Sequence, residues 1–347
     1  MTKLGVLDQS PIREGATAAE ALRESVDLAM ACERFGYHRY WVAEHHNTSS
    51  FAGSAPEILI GRIASETRTI RIGAGGVMLP HYSPLKVAEC FKMLDVFYPG
   101  RIDLGLGRAP GADPRTSAAL QPGPKAYPIE VFPQQIDLLQ KFIDDDFPPG
   151  HPYQGIHAMP VGPTRPEIWM LGSSVQGALY AAEFGLPYCH AHFITPEQTE
   201  ASLSAYRSHF KPGGGLSAPY AALGVNALAA DTPEQARHLA KPRNLWVTHL
   251  LMGTRGRFIS PELVDAHPFT PAERSLYERV QNRGVVGSGE ECRDKLTALG
   301  AQHGVDEFIL LTITYLHADR IRSYERIAAA FAAKSGMDAQ SRTEPNR

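Results

Sequence analysis

TIRIGAGGVMLPHYSPLKVAECFKMLDVFYPGRIDLGLGR, residues 69–108, decides the fold. Thr69 to Met78 is β-branched and glycine-rich and reads as a strand. Pro84 to Phe97 carries apolar residues at helical spacing. Arg101 to Leu106 returns to a short apolar strand. A strand, a helix and a second strand in this order imply two parallel strands joined by a crossover helix. The same rhythm runs outward in both directions. Upstream lie a strand at Lys3 to Leu7, a helix at Thr17 to Phe35, a strand at Tyr37 to Ala43 and a helix at Pro56 to Ser65. Downstream, helical spacing at Pro133 to Ile143 is followed by a strand at Glu167 to Leu171 and a helix at Val175 to Phe184. Then come a strand at Tyr188 to Phe193, a helix at Pro196 to Phe210 and a strand at Tyr220 to Ala230. Pro233 to Ala240 starts a further helix. The chain closes with a helix at Glu290 to Leu299, a strand at Glu307 to Ile313 and a helix at Asp319 to Ala333.

About eight strands, each followed by a helix, predict an α/β chain folded as a closed (β/α)8 TIM barrel. One such domain would span residues 1–335. A proline- and glycine-rich loop would occupy 109–128, an insertion between the seventh and eighth strands would occupy 241–283, and a polar tail would occupy 336–347. Five Ser/Thr residues stand three positions before Glu or Gln at the joints: Thr17/Glu20, Thr195/Gln198, Thr232/Gln235, Thr270/Glu273 and Ser288/Glu291. Each pair suits a capping box, in which two backbone donors are satisfied reciprocally.

Composition narrows the function classes. The 347 residues carry a formal net charge of -3, so there is no basic excess to neutralise phosphate backbones, and a nucleic-acid binder is not expected. No uncharged apolar run approaches the ~20 residues of a membrane span. Met1 to Gly5 runs straight into the first strand without a signal-peptide pattern. Cys32, Cys90, Cys189 and Cys292 are scattered, form no CxxC and predict neither a disulfide framework nor a cysteine zinc site. A cytoplasmic protein is the expectation.

In a (β/α)8 barrel the chemistry sits at the C-terminal ends of the strands. The second strand ends in Ala43-Glu44-His45-His46-Asn47. HExxH spacing is absent, and no metal site is expected. The histidines read either as a hydrogen-bonded structural pair or as a group that titrates near neutral pH and moves protons. After the third strand, Gly73-Ala74-Gly75-Gly76 allows a bulge or the close approach of a flat ligand. The fourth ends in Leu104-Gly105-Leu106-Gly107-Arg108, which is not a dinucleotide fingerprint because Pro110 replaces the third glycine. Arg108 reads as a phosphate clamp or a solvated surface charge. Gly172-Ser173-Ser174 opens a helix and suits an anion or a plain cap. His190 and His192 share one face of the sixth strand, with His192 nearer the mouth.

Together these segments resemble the bacterial luciferase-like flavin-dependent monooxygenase family. The resemblance rests on YWVAEHH (Tyr40 to His46), IGAGGVMLPHYSP (Ile72 to Pro84), the run from Leu94 to Arg108, GSS with AAEFGLP (Gly172 to Pro187) and VVGSGEECRDKL (Val285 to Leu296). It covers Leu4 to about Ala333 and is nearest to bacterial members with the GLGRAPG loop. It implies a (β/α)8 barrel that holds reduced FMN, or in some relatives the deazaflavin F420, at its C-terminal mouth. It further implies that His45 is catalytic, that Gly75-Gly76 forms a non-prolyl cis peptide beside the flavin, and that Arg108 and Ser174 grip the flavin phosphate. Ser173 would touch the flavin through its backbone, and Glu44 and His192 are candidate substrate contacts. A second family arginine is replaced around Phe132-Pro133-Gln134. Gly107 stands where luciferase has a reactive cysteine, so light emission is not expected.

The implied reaction is a monooxygenation. Reduced FMN from a separate flavin reductase would meet O2 to give a C4a-(hydro)peroxide, which oxygenates a small aldehyde, alkane, ketone or sulfonate. The protein would supply position and dryness, and a homodimer is the family habit. Alternatives are an F420-dependent oxidoreductase on the same fold, a flavin-binding protein without turnover, and a metal-dependent barrel hydrolase. The segments 109–128 and 241–283 are candidate lids, surface elaborations or dimer contacts.

Overall fold

The computed structural model describes residues 2–108, 113–121, 129–162, 165–254 and 256–341. In chain order its elements begin with β1 (Lys3–Asp8), α1 (Ala18–Arg34), β2 (Arg39–Val42), α2 (Pro56–Glu66) and β3 (Arg71–Met78). Next come α3 (Pro84–Phe97), β4 (Ile102–Gly107), α4 (Pro114–Leu120), α5 (Phe132–Asp144) and β5 (Glu167–Gly172). They continue with α6 (Val175–Glu183), β6 (Tyr188–His190), α7 (Thr199–His209), β7 (Ala221–Ala229) and α8 (Pro233–Leu251). The last are α9 (Pro261–Asp265), α10 (Pro271–Gln281), β8 (Val285–Gly287), α11 (Gly289–His303), β9 (Glu307–Leu311) and α12 (His317–Ser341).

The strands form one sheet in the order β6-β5-β4-β3-β2-β1-β9-β7-β8, and β6 pairs in addition with β7. Strands β1 to β7 and β9 make the closed (β/α)8 barrel that the alternation predicts. The extra strand, β8, was not expected. Its three residues pair with Ala227 to Ala229 of β7, and so short a strand leaves no period-two pattern to read.

The chain divides into two compact units. One holds Arg39–Asn47 and Gly53–Ala222, with β2 to β6 and α2 to α7. At the N-terminal ends of its strands, the fully buried Asp103 of β4 accepts from Arg39 Nη1 at 2.6 Å, Trp41 Nε1 at 2.8 Å and Arg71 Nη2 at 2.6 Å. Two guanidinium groups and an indole thus satisfy a carboxylate that has lost its water. Arg39 also stacks over the Trp169 ring at 4.6 Å. Conservative packing of this kind at the strand starts leaves the opposite ends to chemistry.

The other unit comprises Met1–His38, Thr48–Ala52 and Leu223–Arg347. Parallel pairing of β1 with β9 sets Lys3 beside Glu307 and Val6 beside Leu310. Beyond β1, Asp8 Oδ1 accepts from Ser10 N–H at 2.7 Å and from Arg320 Nη2 at 2.8 Å. No helix among the described residues is long and apolar enough to cross a membrane.

Several boundaries differ from the expectations, β6 among them, which ends at His190 and not at Phe193. The loop at 109–128 contains α4, whose Asp113 side chain caps the N–H groups of Arg115 and Thr116. Residues 109–112 and 122–128, which include part of the GLGRAPG loop, lie outside the described residues. The segment 241–283 begins inside a helix, because α8 continues through Pro242 to Leu251. An interior proline forfeits one helical hydrogen bond, and α8 continues in spite of it. Helix α12 runs to Ser341, beyond the expected end at Ala333. The reciprocal capping boxes form at Thr17, Thr270 and Ser288. At Thr232 only the forward bond forms, and Thr195 makes no cap bond.

Candidate active site

The candidate residues named from sequence, Glu44, His45, Gly75, Gly76, Arg108, Ser173, Ser174 and His192, all fall in the β2–β6 unit. Sheet register lines them up along one edge. Val42 pairs with Ala74, Met78 with Gly107, Gly107 with Leu171, and Gly172 with His190. Glu44 and His45 therefore leave β2 where Gly76 sits in β3. Arg108 follows the β4 residue flanked by Met78 and Leu171, and Ser173-Ser174 leads out of β5.

Glu44 turns inward. Its side chain is fully enclosed, and its oxygens accept from Met78 N–H at 3.0 Å, the Tyr82 hydroxyl at 2.6 Å and His46 Nε2 at 2.8 Å. The regular strand ends at Val42, so Glu44 and His46 escape strict alternation and meet. The carboxylate thus ties the end of β2 to the turn after β3. Tyr82 was missed by sequence reading although it lies within the quoted motif. Burial and the bond to Glu44 hold its phenol protonated well above the usual range. Gln135 of α5 supports the same turn, donating to Leu79 O and Tyr82 O, both at 3.4 Å. It stands next to the place where the resemblance marks an arginine as replaced.

His45 is half-buried, and its backbone N–H donates to Gly53 O at 2.8 Å. Burial first, and the neighbouring His46 second, pull its imidazole down from 6.5 to about 4. Burial thus moves His45 below the neutral-pH range that one of the two sequence readings gave it. An imidazolium loses too much hydration in this setting, so His45 is neutral at pH 7, able to accept a hydrogen bond at one ring nitrogen and donate at the other.

The ladder between β3 and β4 shifts register between Ala74 and Val77. The Gly75–Gly76 peptide bond within that shift is cis. A Cβ on Gly76 would stand 2.5 Å from Gly105 O and 2.9 Å from Leu171 Cδ1, so only glycine lets the two strands approach this closely.

Arg108 is half-buried and makes no hydrogen bond or ion pair with the described residues. Ser174 is the N-cap residue of α6 by its extended backbone (φ -144, ψ 157), yet its side chain makes no cap bond. The Ser174 hydroxyl thus leaves the first N–H groups of α6 uncapped. Ser173 O accepts from Thr195 Oγ1 at 2.5 Å, and Gly172 O from Ala191 N–H at 2.8 Å. The threonine expected to cap a helix instead locks the β6 exit onto the β5 exit.

His190 is fully buried. Its Nε2 lies 3.2 Å from Thr195 O, which can only accept, so Nε2 carries the proton and Nδ1 accepts from the Tyr188 hydroxyl at 3.1 Å. Strand β6 ends at His190, so His192 does not share a strand face with it as expected; His192 lies beyond the strand, half-buried, with Nδ1 2.8 Å from Thr199 Oγ1. Asn47, left-handed at φ 49, donates to Asp113 Oδ2 at 3.1 Å and Thr116 Oγ1 at 2.9 Å, fastening α4 to the exit of β2. The Thr116 hydroxyl and backbone N–H first, and the Asn47 amide after them, hold the Asp113 carboxyl well below its ordinary range.

The family model for the luciferase-like monooxygenases matches residues 2–307. The chain belongs to that family. The uncharacterized protein YceB of Bacillus subtilis (strain 168) is 41% identical over 331 residues, 95% of this chain and 100% of that protein. The N-acetyl-S-alkylcysteine monooxygenase of the same organism is 38% identical over 340 residues, covering 96% and 100%. The crystal structure of apo-MsnO8 superposes with a TM-score of 0.87 at 38% identity, covering 96% of this chain and 99% of that one. Two more distant structures share the luciferase-like fold. They are the oxygenating constituent of 3,6-diketocamphane monooxygenase from Pseudomonas putida in complex with FMN (TM-score 0.71, 19% identity) and an F420-dependent secondary alcohol dehydrogenase (0.68, 14%).

Proposed function

We propose that this luciferase-like monooxygenase binds reduced FMN at the ends of β2 to β5 and transfers one atom of O2 to a small organic substrate, the other leaving as water. The observation that supports the reading is the placement, on adjacent strands, of the Arg108 guanidinium, which has no hydrogen bond or ion pair among the described residues, and of a helix start whose Ser174 hydroxyl makes no cap bond. Both features seek an anion, and FMN ends in a phosphate. The glycines at 75 and 76 leave no side chain between the β3 backbone and a flat ring.

In this reading Arg108 and Ser174 bind the phosphate, and the Ser173 backbone and the Gly75-Gly76 segment face the ring system. Reduced FMN, when bound, supplies the electrons that activate dioxygen. His45, neutral at pH 7, holds or accepts a proton at its ring nitrogen beside the reacting group. Glu44 keeps the β2 exit and the Tyr82 turn in one geometry and so positions His45 from behind. His192 is a substrate contact at the β6 exit. The reduced flavin comes from a separate reductase, since the chain has no dinucleotide fingerprint.

Anaerobic titration with reduced FMN, followed by an O2 pulse, tests this. Saturable binding and substrate-dependent O2 uptake support it; binding of reduced F420 in preference to FMN, with hydride transfer and no O2 uptake, would replace it with the deazaflavin reading. Tight FMN binding without turnover would leave a flavin-binding protein. N-acetyl-S-alkylcysteines head the substrate panel because a 38% identical relative is named for them. A cytoplasmic homodimer completes the proposal. Ile58 of α2 and Met93 and Phe97 of α3 are 72%, 53% and 68% exposed, an apolar face that a second copy would cover. Sedimentation of the purified protein tests that part.

A further inference from the structure

We propose a second site, a binding site for a zinc-class divalent cation formed by His249, His267 and Glu273. It is independent of the flavin reading, because all three residues lie in the other compact unit, within the 241–283 segment. Three separate pieces of chain deliver them. His249 is in the last turn of α8, His267 is in the turn between α9 and α10, and Glu273 is in the first turn of α10.

Both imidazole Nε2 atoms lie 2.8 Å from the same Glu273 oxygen, Oε1. One potential ligand atom from each residue lies within 4.8 Å of the others. Glu273 is only 7% exposed. Its other oxygen, Oε2, accepts the Thr270 N–H at 3.4 Å and completes the capping box. The carboxylate therefore divides its work: Oε2 starts the helix, and Oε1 faces two imidazoles.

Two histidines and a glutamate form an established zinc donor set that leaves one position for water or a ligand. Ligand atoms on a tetrahedral zinc stand roughly 3.3 Å apart at bond lengths of about 2.0–2.1 Å. Each N···O separation thus has to open by about half an ångström, and the two imidazole nitrogens, within 4.8 Å of each other, have to settle at about the same 3.3 Å. His249 and His267 keep 32% and 23% of their side chains exposed, which leaves a route for the cation and its water.

The site is built before any ion arrives. The His267 ring packs edge-on against Phe269 at 4.7 Å, and Phe269 packs against Tyr277 at 5.1 Å and under the Arg274 guanidinium at 3.9 Å. Backbone bonds from His267 N–H to Val264 O (3.2 Å) and from Phe269 N–H to His267 O (2.9 Å) hold the turn. Leu245, Val264 and Tyr277 form the small core underneath. Preorganised ligands on packed elements are what a metal site requires. Bound metal would staple the end of α8 to the start of α10.

The test is calorimetric titration of chelator-stripped full-length protein with zinc chloride, repeated with cobalt chloride by visible absorption. One equivalent should bind, with the intense cobalt absorption of low coordination. Loss of a supporting residue around a metal costs roughly 10–100-fold in affinity, so loss of a ligand should exceed that. E273Q and H267A should each lose more than a hundredfold, while H157A, at a surface histidine outside the cluster, should bind as the parent does. Gln retains the capping-box geometry, so E273Q reports on the ligand with helix α10 intact, as circular dichroism will register. Absence of saturable binding in the parent, or equal affinity in the parent, E273Q and H267A, overturns the proposal. Neither result bears on FMN titration, which uses the other unit.

Discussion

The Tyr82 hydroxyl donates a 2.6 Å hydrogen bond to Glu44 Oε1, joining the turn after β3 to the exit of β2. The same carboxylate accepts from Met78 N–H and His46 Nε2. A bond to a buried charged acceptor contributes about 1.5–3 kcal/mol. Tyr82→Phe should therefore lower stability by about that amount in urea unfolding. A loss under about 0.5 kcal/mol would mean that the bond is not made in solution.

His45→Asn should lower the turnover number by about 10²–10⁴-fold, the usual loss when a positioned acid or base is removed. Affinity for reduced FMN, measured anaerobically, should change little. Unchanged oxygen consumption would remove His45 from the proposed chemistry.

The depressed pKa of His45 carries a stability signature. In the unfolded chain the imidazole takes a proton near 6.5, and in the folded protein only near 4. Between those values the unfolded state binds more protons, so stability rises with pH from about 4 to 6.5 and is level above. Urea midpoints at pH 5 and pH 7 should differ more in the parent than in His45→Asn. Identical differences would show that His45 is not held neutral by its surroundings.

Arg108→Ala should weaken reduced FMN by about 10–100-fold, the equivalent of one or two charge-assisted bonds to phosphate. Reduced riboflavin, which lacks the phosphate, should bind both proteins equally. An equal loss for the two flavins would place Arg108 away from the phosphate.

Asp103→Ala should cost about 3–5 kcal/mol, since it strands the buried Arg39 guanidinium and the Trp41 N–H without their shared acceptor. Thermal unfolding checks this. A variant as stable as the parent would mean that the buried ion cluster relaxes without loss.

Much of the architecture was legible because it is periodic. Alternating strands and helices foretold the barrel, and the capping residues Thr17, Thr270 and Ser288 marked true helix starts. Local rules failed where the chain departs from period or obeys a distant partner. An insertion was expected from residue 241, yet α8 runs on through Pro242 to Leu251 with Ala236, Ala240 and Leu245 buried along it. Thr195 had the signature of a cap, yet its hydroxyl is claimed by Ser173 O from the neighbouring strand exit.

The sequence by itself determined the fold class, the family and the strand ends at which His45, Arg108 and Ser174 stand. Those follow from hydrophobic period and from short motifs, which are properties of neighbours along the chain. Only the tertiary structure decided that Glu44 is a buried hub rather than an open contact, that His45 is neutral, and that His249, His267 and Glu273 converge. Burial and the meeting of remote side chains set desolvation and hydrogen-bond partners, and neither is encoded in local spacing.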